Sequence, residues 1–386
     1  MLVTYVAPNR AHHFNYALAL AREGHLQKFV SGASRFGPGR SFPELDGKIL
    51  RADHLQNIYL ASLRLGMPST VSEELAYMSK IWMDMCSTKD ALKSDAFVCY
   101  NGAGLRSLKA LKSTPVKGIV EAVNSHVLAQ QEILREEHER LGLPLKGFPP
   151  REVARRVKEY ELADGIICPS TFVRRSFVDR GFAPKRVKTV SFGIQLPVGL
   201  EKKVRTDDAF RVLFVGQINI RKGLRYLLEA FAKFKHPKKE LWIVGSKTEQ
   251  TGIEDVSLPE GVKFLGVLKG AELAHVYQNA QVLVLPTLEE GLALVMGEAL
   301  GYGLPVIATY NSGGEDLFKD GFNGFLVPIR SPGAIVEKLQ LLADEPVLLE
   351  EMSARAAARD NGIRNWESAG EAFVTALQDF IRMPKL

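Results

Sequence analysis

Residues 286–301 read PTLEEGLALVMGEALG, and the run VLVLP at 282–286 leads into them. A continuous β-branched and leucine run that ends at a turn predicts a buried parallel strand. Leu294, Val295, Glu298, Ala299 and Leu300 then recur at helical spacing, and Gly301 to Pro305 closes the pattern. The stretch is strand, tight polar turn, helix, with Glu290 in the turn and Glu298 about two turns into the helix. In an open α/β sheet, ligands lie beyond the carboxyl ends of the strands, where this junction falls. A helix N-terminus there offers unpaired N–H groups and partial positive charge to an anion such as a diphosphate. Carboxylates beside it accept hydrogen bonds from hydroxyl groups. The competing reading is that both glutamates are solvated surface residues.

Working outward, RVLFVG (211–216), ELWIVG (240–245) and VKFLG (262–266) repeat the strand-and-turn form. GLRYLLEAFAKF (223–234) and ELAHVYQNA (272–280) are the helices between them. Alternating strands and helices with right-handed crossovers predict a doubly wound parallel sheet. Further upstream, Met1 to Ala7, DAFVCYNGAG (95–104) and GIVEAVNSH (118–126) are strands of a first α/β half. The polar, unpatterned 196–208 reads as the linker, and the amphipathic 369–383 as a final helix. A chain of 386 residues holds two such domains, each able to bury a full core.

The long concatenation EEGLALVMGEALGYGLPVIATYNSGGEDLFKDGFNGFLVP strongly resembles the donor-site signature of GT-B glycosyltransferases, in particular retaining family 4, the glycosyl transferases group 1. That pattern is Glu, seven residues, Glu, which Glu290 and Glu298 match, then a G-x-P-V-x-A strand at Gly303, Pro305, Val306 and Ala308. Gly313, Gly314 and Glu315 match the following turn, and Gly321, Asn323, Gly324 and Phe325 the last element. Residues 151–195 match again, from an E-x-x-x-A-D run to a P-S turn capped by Ser170 and Thr171. The resemblance is dense over 210–330, recognisable over 151–195 and thin before 150.

It implies two Rossmann-like domains facing a cleft: 1–198 on the acceptor side, joined by a returning helix at 365–386, and 205–364 on the donor side. It also implies residue roles. Glu290 holds sugar hydroxyls, and Glu298 binds the ribose hydroxyls. Lys222, in the turn that corresponds to the family's phosphate loop, supplies a mobile ammonium to the diphosphate. The donor set is Gly216, Gln217, Arg221, Lys222, Gly245, Gly266, Val267, Glu290, Gly291, Leu292, Ala293, Leu294 and Glu298. The catalytic candidates are Glu290, Lys222 and His126, the last just past a strand end. Two positions depart from the family pattern. The loop after the first strand is PNRAHHFN, with His12 and His13 where a Gly-Gly pair is usual. Gln217 replaces the expected arginine, and Arg221 is placed to compensate.

The implied reaction moves a hexose-type sugar from a UDP- or GDP-linked donor to a glycan or lipid-linked acceptor, in envelope or exopolysaccharide assembly. Competing readings are a GT-B nucleotide-sugar epimerase, which needs acid/base carboxylates across the cleft, and a catalytically degenerate nucleotide-binding scaffold. No D-x-D motif and no Cys/His cluster with ligand spacing is present, so no metal or other cofactor is expected.

Bulk properties narrow the rest. The net charge of +6 leaves a solvated basic surface or attraction to anionic lipid or a phosphorylated ligand, with no nucleic-acid partner expected. The most basic region, 151–188, reads as solvated faces or a membrane patch. Cys86, Cys99 and Cys168 read as reduced, buried thiols of a cytoplasmic protein, with peripheral contact at the inner membrane face as the added option. No signal peptide or run of 18 apolar residues is visible. FGPGRSFPELDGK (36–48) reads as loop, and the charged helix LAQQEILREEHERLG as solvated. Tyr77, Met78, Trp82, Met83 and Met85 read as core packing, with an acceptor or membrane-facing surface as the alternative.

Overall fold

The computed structural model describes every residue except 35–41, 146, 196–206, 249, 359–363 and 386. Most of the expected linker, and the start of the loop at 36–48, lie outside the described residues. The first sheet contains β1 (Val3–Ala7), β2 (Leu26–Ser31), β3 (Ile49–Arg51), β4 (Ala96–Tyr100), β5 (Lys117–Glu121), β6 (Gly165–Cys168) and β7 (Val187–Thr189). Its strand order is β3-β2-β1-β4-β5-β6-β7. The second sheet contains β8 (Phe210–Val215), β9 (Lys239–Val244), β10 (Val262–Gly266), β11 (Val282–Leu285), β12 (Val306–Thr309) and β13 (Gly324–Val327). Its order is β10-β9-β8-β11-β12-β13. These pairings are parallel, with Leu213 of β8 opposite Leu283 of β11. Both orders reverse beside the first strand of the sheet, so each sheet opens its ligand crevice there.

Helices cover both sheets. The first carries α1 (His13–Arg22), α2 (His54–Arg64), α3 (Ser69–Ala91), α4 (Leu105–Leu111), α5 (Val127–Leu141), α6 (Pro150–Leu162) and α7 (Thr171–Val178). The second carries α8 (Leu224–Lys233), α9 (Gly270–Asn279), α10 (Leu294–Gly301), α11 (Pro332–Asp344) and α12 (Pro346–Ala357). The inner strands β5, β8 and β11 are buried along their length, whereas the edge strands β3 and β10 are partly exposed. α13 (Trp366–Arg382) starts at Asn365, whose side chain accepts from the Ser368 N–H at 2.8 Å, and packs on α1. Phe373 stacks on Tyr16 at 4.2 Å between ring centres. Gly370 permits that approach, since a Cβ there would lie 2.6 Å from the Ala19 methyl.

Three surface expectations change. Met83 is buried, but Met78, Trp82 and Met85 are exposed on α3, so that aromatic and methionine set is only partly core. In the basic region Arg156 is buried and Arg155 half-buried: Arg155 pairs with Asp84 at 2.6 Å, and Arg156 with Glu152 at 2.5 Å. Both are drawn into ion pairs within the fold rather than onto a solvated face. On α5, Glu137 is buried, accepting from the Tyr226 hydroxyl and from Arg330 at 2.6 Å each. Cys99 and Cys168 are buried, whereas Cys86 is half-buried. Among the described residues, no helix is long and apolar enough to cross a membrane.

Candidate active site

The site is assembled from two turns of the second sheet that lock onto each other. After β8, Asn219 accepts from the Lys222 N–H at 3.1 Å and starts a short helical turn over Ile220–Lys222. Gly223 ends it with φ +65°, and a Cβ there would sit 2.2 Å from the Pro286 carbonyl, so glycine is required on both counts. After β11, the Leu288 N–H and the Thr287 hydroxyl both bond the Arg221 carbonyl, at 2.8 and 3.0 Å. The Glu290 N–H bonds the Asn311 carbonyl at 2.9 Å. These backbone bonds aim the Arg221, Lys222 and Glu290 side chains at one point.

There Lys222 Nζ donates to Glu290 Oε2, and Arg221 Nη1 reaches Glu290 Oε1 at 3.4 Å. Burial alone would raise the Glu290 pKa, but Arg221 and Lys222 outweigh it and hold the carboxyl below its usual range. α10 begins at Leu294, just beyond, with Leu292 and Ala293 buried beneath the turn. Glu298 is the fifth residue of that helix, nearer one turn in than two. Its carboxylate accepts from the Tyr277 hydroxyl at 2.9 Å, and Tyr277 stacks on Tyr302 at 5.1 Å.

Gly216, Gly245 and Gly266 sit side by side at the ends of β8, β9 and β10. The Gly216 N–H bonds the Val244 carbonyl at 2.9 Å and the Gly245 N–H bonds the Gly266 carbonyl at 2.7 Å. A Cβ on Gly245 would lie 1.8 Å from the Gly216 carbonyl oxygen, so the strand ends touch backbone to backbone. Gln217 and Val267 are exposed at this edge.

Glu289 was not legible as a site residue. It is 0 % exposed and accepts from the Ser125 N–H and hydroxyl at 3.0 and 2.8 Å, and from the Gln130 amide at 2.8 Å. It thus joins the turn after β11 to the start of α5 in the first half. Nearby, the Ser170 hydroxyl donates to the Gly291 carbonyl at 2.5 Å, and Thr171 bonds Asp316 through its N–H and hydroxyl. The signal for these contacts is tertiary: the partners lie more than a hundred residues apart.

His126 takes a different place. Its ring packs among Tyr160, Phe177 and Phe182, and its Nδ1 accepts from the Leu128 N–H at 3.2 Å, capping α5. Burial first, then the neighbouring Arg180, lowers its pKa to about 4. The histidines drawn to the end of β1 and β5 are His12 and His13. His12 Nε2 lies 2.6 Å from Glu121 Oε1, His13 Nδ1 lies 3.1 Å from Glu121 Oε2, and the Tyr5 hydroxyl donates to Glu121 at 2.6 Å. One ligand atom from each of the three residues falls within 4.8 Å of the others, a grouping of metal-binding type that spacing along the chain does not reveal. In this structure each of those atoms is held by a hydrogen bond within the cluster.

Comparison with known proteins agrees with this geometry. Residues 200–359 match the model of the family described as glycosyl transferases group 1. A D-inositol 3-phosphate glycosyltransferase of Thermobifida fusca is 26% identical over 234 residues, 53% of this chain and 52% of that one. An uncharacterized glycosyltransferase of Methanocaldococcus jannaschii is 34% identical over 135 residues, 33% of this chain and 34% of that one. The chain spans from about a third to six-tenths of the length of such curated relatives. Sucrose-phosphate synthase from Thermosynechococcus elongatus superposes with a TM-score of 0.70 at 17% identity, covering 98% of both chains. Anabaena HepE in complex with UDP superposes at 0.64 and 15% identity, covering 98% of this chain and 100% of its own. The fold is GT-B, and residues 200–359, about four-tenths of the chain, match the glycosyl transferases group 1.

Proposed function

We propose that the chain transfers a hexose-type sugar from a nucleoside-diphosphate sugar to a glycan or lipid-linked acceptor, with retention of anomeric configuration. The division of labour follows the expected domains, with the donor in 205–364 and the acceptor on 1–198 with the returning helix. The observation that carries this reading is the convergence of Lys222 and Arg221 on Glu290 at the mouth of α10. With no donor bound, Glu290 neutralises the two cations. A diphosphate would take them over, helped by the α10 amides, and free the carboxylate to accept from sugar hydroxyls.

The same groups meet the charge that develops as the diphosphate departs, so the reaction runs on protein groups without a metal. Glu298 has an oxygen held by Tyr277 and offers its carboxylate to the ribose hydroxyls. The bonds from Ser125, Gln130 and Ser170 to the turn at 289–291 hold the cleft shut, which excludes water and suppresses futile hydrolysis of the donor. The basic surface and a role in envelope assembly fit a site at the inner face of the plasma membrane.

The test is binding and slow hydrolysis across a panel of UDP- and GDP-sugars, with chelator present and absent and with Glu290→Ala as control. One donor should bind selectively, and its hydrolysis should survive chelator and disappear in the variant. No binding by any donor would overturn the reading. Interconversion of the donor without hydrolysis would favour an epimerase.

A further inference from the structure

Resting on that reading, we infer that the acceptor is an anionic amphiphile, and that its site is the cavity between α2, α3, α5 and α6. This cavity is about 740 Å³, large enough for a drug-sized ligand. Its two ends differ in chemistry.

The mouth is apolar. Leu63, Met67, Leu134, Leu145 and Phe148 line it, the chain between α2 and α3 carries Leu65, 78 % exposed, and Val71 is exposed in the first turn of α3. Such a rim on a folded surface marks a place where an apolar group is received.

The floor is cationic. Lys80 and Arg156 both donate to a single oxygen of Glu152, each at 2.5 Å. Arg156 is 8 % exposed, its Nε has no hydrogen-bond partner, and its guanidinium lies 4.3 Å from the Phe148 ring centre. The adjacent Arg155 is committed to Asp84 and Glu159, so it neither adds to nor subtracts from this balance. The buried Arg156 and the half-buried Lys80 therefore share one carboxylate, with a guanidinium donor unanswered. A phosphate or carboxylate supplies the missing acceptors, and two N–H groups of arginine match its geometry.

Position gives the pocket its role. Its floor abuts Gly102, at φ +100°, where a Cβ would lie 3.2 Å from Lys80 Cδ. Gly102 lies two residues after Tyr100, the last residue of β4, whose ring meets His13 edge-on at 5.7 Å. An acid group on the floor would thus be held close to the end of β4, while an apolar chain leaves past Leu63 and Met67.

The experiment is calorimetric titration of the full chain with monomeric dodecyl phosphate, n-dodecyl β-maltoside and inorganic phosphate. Dodecyl phosphate should bind at least tenfold tighter than either of the others. Arg156→Gln and Lys80→Met should each weaken it at least tenfold. Leu63→Glu, at an exposed position that cannot unfold the chain, should do the same. Equal affinity for dodecyl phosphate and the maltoside, or binding unchanged in both Arg156→Gln and Leu63→Glu, overturns the inference. UDP- and GDP-sugar binding is measured on the same samples. Capture of dodecyl phosphate by a chain that binds no donor sustains the pocket and sinks the transferase reading; donor binding without that capture does the reverse.

Discussion

Glu289, in the turn after β11, accepts two hydrogen bonds from Ser125, 164 residues away in the other half of the molecule. The carboxylate is buried, and Arg221 and Gln130 also reach it. One residue thus ties the cleft shut and braces the arginine that points at Glu290. Glu289→Ala would leave the buried Ser125 N–H and hydroxyl and the Gln130 amide without their acceptor, at a cost of about 3 kcal/mol. Urea denaturation should show that loss, and small-angle scattering should show a larger radius of gyration. An unchanged midpoint and radius would refute the coupling.

Gly291 tests the same closure by steric means. A Cβ at this position would stand 1.8 Å from the Val123 carbonyl oxygen in the first half. Gly291→Ala should therefore hold the cleft open. Donor hydrolysis and transfer should fall by roughly a hundredfold, because displacing reacting groups by about 1 Å costs that much. Retained turnover with an unchanged scattering profile would show that the contact is not part of the working state.

Lys222 separates charge from packing. Its ammonium bonds Glu290, and a charge-assisted bond contributes about 1.5–3 kcal/mol. Lys222→Ala should weaken donor binding roughly ten- to a hundredfold. The loss should depend on the diphosphate, so affinity for the free nucleoside should stay constant in calorimetry. A parallel drop for nucleoside would place Lys222 elsewhere in the site.

His126 gives a prediction in pH. Its pKa is about 4 in the folded chain, against 6.5 ordinarily, because burial and then Arg180 disfavour the imidazolium. Between those values the unfolded chain takes up a proton that the folded chain refuses, so stability falls as pH drops from 6.5 to 4, and the group has no effect above that window. His126→Asn keeps an acceptor for the Leu128 N–H and removes the titration. It should recover about 2 kcal/mol of the acid loss at pH 4.5. Melting curves at pH 7.5 and 4.5 decide this; identical acid sensitivity in the two proteins would assign the loss to other groups.

Much of the donor half was legible because its determinants are local. An apolar run long enough for one buried strand, followed by glycine and a helical repeat, has few other ways to fold. The spacing of Glu290 and Glu298, and Lys222 in its turn before Gly223, survive as geometry for that reason. The glycines at 216, 245 and 266 were readable as strand ends, though not as neighbours.

The first half was harder to read because its side-chain pairings are made between residues distant in the chain. His12 and His13 meet a carboxylate only because β5 brings Glu121 beside them, and the arginines of 151–188 read as a surface because nothing along the chain shows that Asp84 and Glu152 pair with two of them. His126 looked like a cleft residue and proved to cap α5 within an aromatic cluster.

By itself the sequence determined the two α/β halves, the turn after β11 and the identity of its charged groups, since period, turn chemistry and spacing act over a few residues. Tertiary structure alone decided which charges are buried and paired, that Glu289 closes the cleft, and that an apolar mouth stands over a cationic floor. Burial and pairing depend on which distant segments pack together, and desolvation then sets the strength of every charge among them.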